Sequence, residues 1–575
     1  MPMASHPRTL APPERAAYYA RQLVREAPRL LSALDRCPVS ASGGSLDREW
    51  WAWASKDFAN QDQQRGLWAL AYLYTTPLGG NILHQEGALL GWIAQGVRFW
   101  LKSQDRRGAF DHLYPYESSW MAAAFTLADL VETYRLVGAA VDAETREAWQ
   151  RAMLRAGDFL LAHDETHGFI SNHRAGAAAA LAGLSQVAGR TQYLQGAWRI
   201  MDGVYARQSP EGWFLEYEGA DPGYQTLDTH YQALFYLNCG RDPRVLARVG
   251  ASLEFLSYFM HPDGSIGGDY GSRNCPHFFP GGLEVFAAEL PLAEAIAAAG
   301  AWGLEAGTSC GLEDSDTRNA FPLVTSYVLA HRALSQPRPN PPAAPAELPR
   351  QRQFERHWPQ AGLYARNEGR RYLVAGLNKG GVVKLFDSET GELLHSSCGY
   401  HARQGGRDYT TLLWGTGQAV EFDPPLMPGS EAPCAPRRVT VRSRFYRFQT
   451  DRLMRPWQLI AFRLFMFSLG RVSFLNHLMR KHLIIKRFLT QRQAGGLTLE
   501  RTLDLDSDKL VIDDLIAGPG AGLDSLREHG FFSTVYMASA RYFRRQDLRQ
   551  AWSSPELAEG LRGGRELRRR AYPRP

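Results

Sequence analysis

The sequence predicts a two-domain α+β protein. An N-terminal α/α toroid, an incomplete barrel of helical hairpins, precedes a C-terminal antiparallel β-sandwich. Three observations support this fold class. Apolar residues recur at three- and four-residue spacing over the first 335 residues, similar loops return there about every fifty residues, and short alternating runs follow a proline-rich break. With 575 residues and 45% hydrophobic content, the chain can form two large cores.

The first domain, residues 1–335, consists of predicted helices joined by loops of one kind. Each loop begins with a turn signal and continues into a short aromatic and polar stretch, as at 105–108, 164–168, 209–212 and 261–264. Stacked helix pairs of this period bury a common core and gather their loops at one mouth, where functional residues are expected. The predicted helices include Gly66–Tyr74, Gly87–Ser103, Trp120–Val137, Ala143–Ala162, Ala175–Ala188 and Val245–Met260.

The proline-rich stretch 336–352 predicts a stiff linker, and residues 353–530 predict the β-sandwich. Residues 531–575 form a C-terminal extension, whose basic tail from Arg562 to Arg574 is expected to be disordered. The predicted strands are Arg371–Gly376, Val382–Phe386, Thr410–Trp414, Val439–Phe448, Leu497–Leu505 and Lys509–Leu515.

A basic segment, Arg437 to Arg492, interrupts the strand pattern. It holds fourteen Arg and Lys residues and a single acid, Asp451. Its apolar run, Trp457 to Phe467, is too short and too often broken by arginine to span a bilayer. A basic helix with an apolar side can instead lie in a membrane interface, which predicts peripheral membrane contact through residues 450–492. The alternative is a helical insertion that covers the outer surface of the toroid.

Composition narrows the classes of partner and cofactor. The net charge of +6 is small for this length, and no nucleic-acid partner is expected. The six cysteines are scattered without the spacing of metal ligands, so no metal, cofactor or disulfide framework is predicted. Residues 1–20 lack the apolar run of a signal peptide. The expected location is cytoplasmic, with peripheral attachment to the inner membrane as an open alternative.

The pair Asn172-His173, with Tyr224 about fifty residues later, is the main chemical signal. An amide can hydrogen-bond a carboxylate and acidify the adjacent C–H, while an imidazole and a phenol can remove and deliver protons. His173 stands directly before an Ala-rich helix, where the dipole disfavours an imidazolium. These three residues are the predicted catalytic set, and Tyr217 and Tyr231 flank Tyr224 as alternatives.

Substrate-binding residues are expected around this set. Arg273, in the glycine-rich segment Asp263–Asn274, can grip a carboxylate, and Tyr270 can stack on a sugar, although a structural turn explains the segment nearly as well. The segment is not a dinucleotide or phosphate loop, because no strand precedes it. The full set of predicted substrate-binding residues is Arg174, Tyr217, Asp221, Tyr231, Tyr270, Arg273, Gln64, Glu117 and His401.

These residues resemble the heparinase II/III-like group, which is related to alginate and oligoalginate lyases. The resemblance rests on Asn172-His173, Tyr224, the Asp263–Asn274 loop and the segment Asn378–Gly381. It implies a toroid followed by a β domain, with Asn172 in carboxylate neutralisation and His173 and Tyr224 as the acid/base pair.

The chain departs from that group in three respects. The His-rich β-domain motif is missing around His395 and His401, no signal peptide is visible, and the basic insertion is unusual. Those differences suggest a member that acts in polymer assembly at the inner membrane face.

Three functions follow as hypotheses. The first is β-elimination on an anionic, uronic-acid-containing polysaccharide in bacterial exopolysaccharide or capsule metabolism. The second is a glycoside hydrolase on the same toroid, which needs two carboxyls flanking the scissile bond. The third is a non-catalytic polysaccharide-binding or assembly protein at the membrane. The candidate carboxyls for hydrolysis are Glu216, Glu218, Asp221, Asp228 and Asp269.

Overall fold

The computed structural model describes residues 9–571 except 54–55, 166–167, 338–345, 416, 449–454, 481–492, 507–508, 532–542, 544–556 and 563–565. The helices of the N-terminal domain are α1 (Pro12–Ala33), α2 (Arg48–Trp51), α3 (Gly66–Thr75), α4 (Gly87–Ser103), α5 (Trp120–Val137), α6 (Ala143–Ala162), α7 (Ser171–Ala188), α8 (Thr191–Tyr205), α9 (Pro222–Asn238), α10 (Pro243–Ser257), α11 (Pro280–Phe286), α12 (Pro291–Ala306) and α13 (Thr317–Ser335).

Alternate helices form an inner ring. Helices α3, α5, α7, α9, α11 and α13 contact one another in that order, and α13 also contacts α3. They are buried almost all round, since most residues of α3, α5, α7 and α9 are buried. Small residues allow their close approach, since a Cβ on Gly176 of α7 would overlap the ring of Phe125 on α5.

The outer helices α4, α8 and α10 are amphipathic. In α4, Leu89, Ile93, Val97 and Trp100 form one buried face, while the other face is solvated. Each outer helix returns the chain to the same end of the ring, so the loops before α5, α7 and α9 gather at one mouth. The predicted bounds of α4, α5 and α6 are confirmed.

The C-terminal domain contains two antiparallel sheets. The first sheet has the order β5-β4-β3-β2-β1-β9, and the second has the order β13-β6-β7-β10-β11-β12-β14, with β8 paired to β10. The strands are β1 (Phe354–Trp358), β2 (Leu363–Asn367), β3 (Arg371–Gly376), β4 (Val382–Asp387), β5 (Leu393–Ser397), β6 (Tyr400–Gln404), β7 (Arg407–Thr410), β8 (Gly417–Asp423), β9 (Glu431–Ala432), β10 (Arg437–Arg447), β11 (Ala494–Asp506), β12 (Lys509–Ala517), β13 (Leu523–Glu528) and β14 (Glu566–Ala571).

The first sheet lies between the toroid and the second sheet. Along β3, Tyr372 and Val374 join a core with Phe259 of the toroid, while Leu373 and Ala375 join a core with the second sheet. Successive side chains of a strand point to opposite faces, so both faces of this sheet are buried. The β domain is therefore packed firmly on the toroid.

Two predictions for this domain are wrong. Thr410–Trp414 is not a strand, because β7 ends at Thr410 and the chain then turns to bring Trp414 against Gly219 of the toroid. The basic tail is not wholly disordered, because residues 566–571 form β14, which pairs with β12.

The basic insertion follows β10 and contains α14 (Pro456–Phe467) and α15 (Ser473–Met479). It contacts loops at the toroid mouth: the rings of Phe462 and Tyr114 meet edge to face, and Asn476 Nδ2 donates to the Tyr116 carbonyl at 2.8 Å. Helix α16 (Ala558–Arg562) lies beside β13. In the described parts of the chain, no helix combines the length and the apolar character that crossing a bilayer requires.

Candidate active site

The start of α7 is fixed by the segment that precedes α9. Ile170 forms an isolated antiparallel bridge with Glu216, and the Ser171 backbone N–H donates to the Leu215 carbonyl at 3.0 Å. These contacts place Asn172 and His173 in the first turn of an inner-ring helix, at the mouth of the toroid.

Asn172 is held by a buried carboxyl. Its backbone N–H donates to Glu216 Oε1 at 3.1 Å, and its side-chain Nδ2 donates to Oε2 at 2.6 Å. Burial, reinforced by nearby Asp228, raises the pKa of Glu216 well above its ordinary value. An amide nitrogen carries two hydrogens, so one remains to donate to a ligand.

His173 forms a dyad with Glu165. Its Nδ1 lies 3.0 Å from Glu165 Oε2, and its ring meets Phe125 edge-on with centroids 5.4 Å apart. The side chain of Glu165 is buried, whereas that of His173 is 14% exposed. A carboxylate partner favours the proton on Nδ1, which makes Nε2 the nitrogen that can accept a proton.

Tyr217 stands in a tight turn beside this dyad. Its φ of +63° lies in the left-handed region, which is strained for a tyrosine. The guanidinium carbon of Arg273 lies 3.9 Å from the centroid of its ring. Burial raises the pKa of Tyr217, and Arg273 opposes that effect. Among the described residues, Arg273 Nε is buried without a partner.

Tyr224 lies in the first turn of α9 and is partly exposed. Asp221 caps this helix, because its Oδ1 accepts from the Tyr224 backbone N–H at 3.0 Å. Its Oδ2 accepts from the Arg273 backbone N–H at 2.7 Å. Asp221 therefore joins the loop of Arg273 to the helix of Tyr224 and is buried in that role, rather than open to substrate as predicted.

A buried lysine from the β domain fastens the same loop. Lys379 Nζ donates to the Gly271 carbonyl at 2.6 Å and also to Asn274 Oδ1. Burial lowers the pKa of Lys379 to about 8. The segment Asn378–Gly381 carries part of the family resemblance. Through Lys379 it thus holds the loop that contains Arg273.

Arg174 lies on the rim. Its Nη1 pairs with Asp164 Oδ1 at 2.6 Å, and its guanidinium lies 4.6 Å from the centroid of the Phe169 ring. Among the described residues, its Nε has no partner. It stays a predicted substrate-binding residue.

Four predicted substrate-binding residues are instead structural, because they are buried and bonded internally. Gln64 donates to the Gly44 and Gly96 carbonyls, and Glu117 accepts backbone N–H groups of His112 and Leu113. The Tyr231 hydroxyl accepts from Arg65 at 2.7 Å, and the Tyr270 hydroxyl bonds His261 Nε2 at 2.8 Å. These positions correct the expectation that the four side chains contact a sugar.

His401 lies on β6, where its Nε2 is 2.9 Å from Asp408 Oδ1. The contacts that the structure describes for it are with other residues of the β domain. A substrate contact for His401 stays a prediction.

Two functional residues escape the sequence patterns. Glu165 belongs to a recognised loop eight residues before His173, but nothing marks it as the partner of that ring. Arg480, at the end of α15, places Nη2 3.7 Å from Glu165 Oε1. Its position depends on how the insertion docks on the toroid.

The effect of a buried carboxyl on stability can be tested at Asp228 of α9. Its Oδ2 accepts from Gln232, its Oδ1 has no partner among the described residues, and burial raises its pKa to about 7. The native state therefore retains a proton that the unfolded chain loses above pH ~4, so stability falls as pH rises from about 4 to 7.

Asp228→Asn should remove this loss. The difference in unfolding free energy, variant minus wild type, should grow by about 2 kcal/mol between pH 5 and pH 8, measured by denaturant titration. Asp202→Asn on the exposed side of α8 serves as the control and should show no such growth. An unchanged difference for Asp228→Asn would mean that its carboxyl is solvated.

Comparison with known proteins agrees with this architecture. Residues 93–281 match the family model of the Ulvan lyase N-terminal domain. The chondroitin AC lyase of Streptomyces coelicolor A3, in complex with chondroitin sulphate, is similar over 90% of this chain and 68% of that one, with a TM-score of 0.55 and 10% identity. A Paenibacillus xanthan lyase is similar over 90% of this chain and 46% of that one, with a TM-score of 0.49 and 11% identity. No curated protein matches the chain by sequence.

At 10% identity, the likeness to chondroitin AC lyase establishes the two-domain fold. The matched domain spans the mouth loops and most of the candidate catalytic residues, including Asn172, His173 and Tyr224. The chain thus has the fold seen in that lyase and a region that matches the Ulvan lyase N-terminal domain, in agreement with the resemblance that its sequence shows.

Proposed function

We propose that this protein cleaves a uronic-acid-containing polysaccharide by β-elimination. The observation that carries the proposal is the convergence of Asn172, His173, Tyr217 and Arg273 at the toroid mouth, with Tyr224 in the adjacent helix turn. These groups supply a hydrogen-bond donor, a base, a phenol and a cation, and contacts through Glu216, Glu165 and Asp221 hold the segments that carry them.

The substrate carboxylate is neutralised by Asn172 and Arg273. The second amide hydrogen of Asn172 donates to it, as does Nε of Arg273, for which the described part of the chain offers no partner. The Tyr217 ring holds the guanidinium in place. Donors aimed at the carboxylate stabilise the charge that develops when the adjacent carbon loses its proton. Tyr217 thus acts in substrate binding.

His173 and Tyr224 transfer the protons. Nε2 of His173 takes the proton from the carbon beside the carboxylate, and the electron pair forms a carbon–carbon double bond as the glycosidic oxygen leaves. The Tyr224 hydroxyl gives its proton to that oxygen. The products are an unsaturated sugar and a free hydroxyl, and no water is consumed.

The carboxyls proposed for hydrolysis are unsuited to that role. Glu216, Asp221 and Asp228 are buried and bonded internally, and Asp269 pairs with Lys384 at 2.9 Å. Of the five candidates, Glu218 alone is exposed. A hydrolase needs two carboxyls that face the scissile bond, so the elimination mechanism is favoured.

The proposed substrate class is anionic because the mouth presents Arg174 and Arg273. A role in bacterial exopolysaccharide or capsule metabolism is proposed from the unusual insertion and the family resemblance. Peripheral membrane contact through residues 450–492 is a separate proposal.

The experiment is a cleavage assay on a panel of polymers: ulvan, chondroitin sulphate, heparan sulphate, alginate and xanthan. The unsaturated sugar conjugates its double bond with the carboxylate and absorbs in the near ultraviolet. We expect that absorbance to rise with at least one polymer for the wild type and not for His173→Gln. No rise with any uronic-acid polymer would contradict the proposal.

A further inference from the structure

The basic insertion exposes an unusual amount of apolar surface. Trp457, Ile460 and Leu464 are 64%, 60% and 67% exposed, and Phe467 follows them on the same side of α14. Their spacing of three, four and three residues makes one continuous stripe on a helix. Of the seventeen large apolar side chains exposed in the described residues, nine lie between 457 and 478: Trp457, Leu459, Ile460, Leu464, Phe467, Leu469, Val472, Phe474 and Leu478.

Helix α14 is packed against the protein on the side opposite the stripe. The opposite side of α14 is in contact with the toroid: Met466 is fully buried and Phe462 meets Tyr114. Arg463 Nε pairs with Asp57 at 3.1 Å. The insertion is thus anchored by one side. On the other side Trp457, Ile460 and Leu464 face solvent, while Phe467 at the end of the row also meets the Tyr116 ring edge-on. Exposed patches of this kind mark interaction surfaces.

The positive charge of the insertion indicates which kind of partner binds the apolar stripe. By sequence, residues 450–492 hold nine basic residues and one acid, and Arg455 and Arg471 are exposed in the part of this insertion that the structure describes. A second copy of this chain would bring an equally basic surface against the first, which is unfavourable in a symmetric interface. An anionic lipid bilayer complements the insertion, because its headgroups are negatively charged and the layer below them is apolar.

We propose that α14 and α15 bind an anionic membrane surface, with the stripe in the interfacial region and the arginines at the headgroups. Tryptophan and phenylalanine are suited to that depth. The helices lie on the bilayer rather than through it.

The opposite side of this insertion touches the active-site mouth. Asn476 bonds the Tyr116 carbonyl, and Arg480 lies beside Glu165 of the His173 dyad. Membrane binding therefore brings the mouth close to the lipid surface. This second part rests on the proposed function: the polymer that is cleaved is one held near a membrane.

The test is sedimentation of the full chain with vesicles of phosphatidylcholine, alone or mixed with phosphatidylglycerol. The wild type should bind the anionic vesicles, and added salt should weaken binding. Replacing Trp457, Ile460 and Leu464 with serine should lower the partition coefficient at least ten-fold. The matched control replaces Val39 and Ile82, which are 91% and 84% exposed elsewhere, and should bind as the wild type does.

Equal binding by the wild type and the stripe variant, or no binding by the wild type, would overturn the proposal. A wild-type dimer that the stripe variant loses, together with no vesicle binding, would assign the stripe to a second copy instead. Cleavage of soluble polymer is measured in parallel, and the stripe variant should retain it. Vesicle binding does not depend on cleavage, so an inactive protein that binds vesicles would contradict the proposed function alone.

Discussion

Replacing His173 with glutamine is expected to lower kcat on the cleaved polymer by about a thousand-fold, because general base catalysis contributes on the order of 100- to 10,000-fold. Glutamine has a similar reach and can still hydrogen-bond Glu165, but it cannot accept the substrate proton. KM should change little, since the carboxylate is held by Asn172 and Arg273. Initial rates of ultraviolet absorbance increase measure both parameters.

The control for this variant is His84→Gln, which replaces a histidine outside the mouth loops and should leave kcat unchanged. Thermal unfolding should be similar for both variants, since the His173 ring is partly exposed at the mouth. A His173→Gln enzyme with kcat within ten-fold of the wild type would remove His173 from the proton-transfer step.

Replacing Tyr224 with phenylalanine is expected to lower kcat at least a hundred-fold with KM nearly constant, because only the proton donated to the leaving oxygen is lost. Tyr217→Phe should act differently. It retains the ring beneath Arg273 but removes the hydroxyl that hydrogen-bonds Arg273. KM should therefore rise, because Arg273 is held less firmly, while kcat falls by less than ten-fold.

Tyr134→Phe on α5, where the hydroxyl accepts from Gln150 at the surface, is the matched control for loss of a phenol. It should be neutral in both parameters. If Tyr217→Phe instead shows the large loss in kcat and Tyr224→Phe does not, then Tyr217 is the proton donor and the two roles exchange.

The toroid could be predicted from sequence because its signals are local. Helical periodicity sets each element, and turn residues mark the loops at a regular interval. The site signal was local too: Asn172 and His173 are adjacent, and the Asp221–Tyr224 segment carries its own helix cap. Such features require no knowledge of the packing.

The support of the site could not be predicted in the same way. Asn172 and Glu216 are forty-four residues apart and meet only because α7 and α9 are neighbours in the inner ring. The same holds for Lys379, which reaches Gly271 from another domain. These pairs depend on tertiary placement.

Local composition also gave wrong readings. Gln64 and Tyr270 lie in or beside polar-aromatic segments like those of the active site, yet their polar groups satisfy the backbone and side chains of the interior. In the basic tail, β14 carries three consecutive arginines, yet it is held by backbone pairing to β12 and by Leu567 and Ala571, which pack against buried clusters of the β domain. Buried polar networks and edge strands are thus the features that composition misassigns.

The most direct test of the elimination mechanism is the mass of the products from an oligosaccharide of defined length. Elimination requires that the two fragments together weigh the same as the substrate and that the new non-reducing end be unsaturated. That is the result we expect, and it should vanish in His173→Gln. Fragments whose combined mass exceeds the substrate by one water would show hydrolysis and contradict the proposed role of Asn172, His173 and Tyr224.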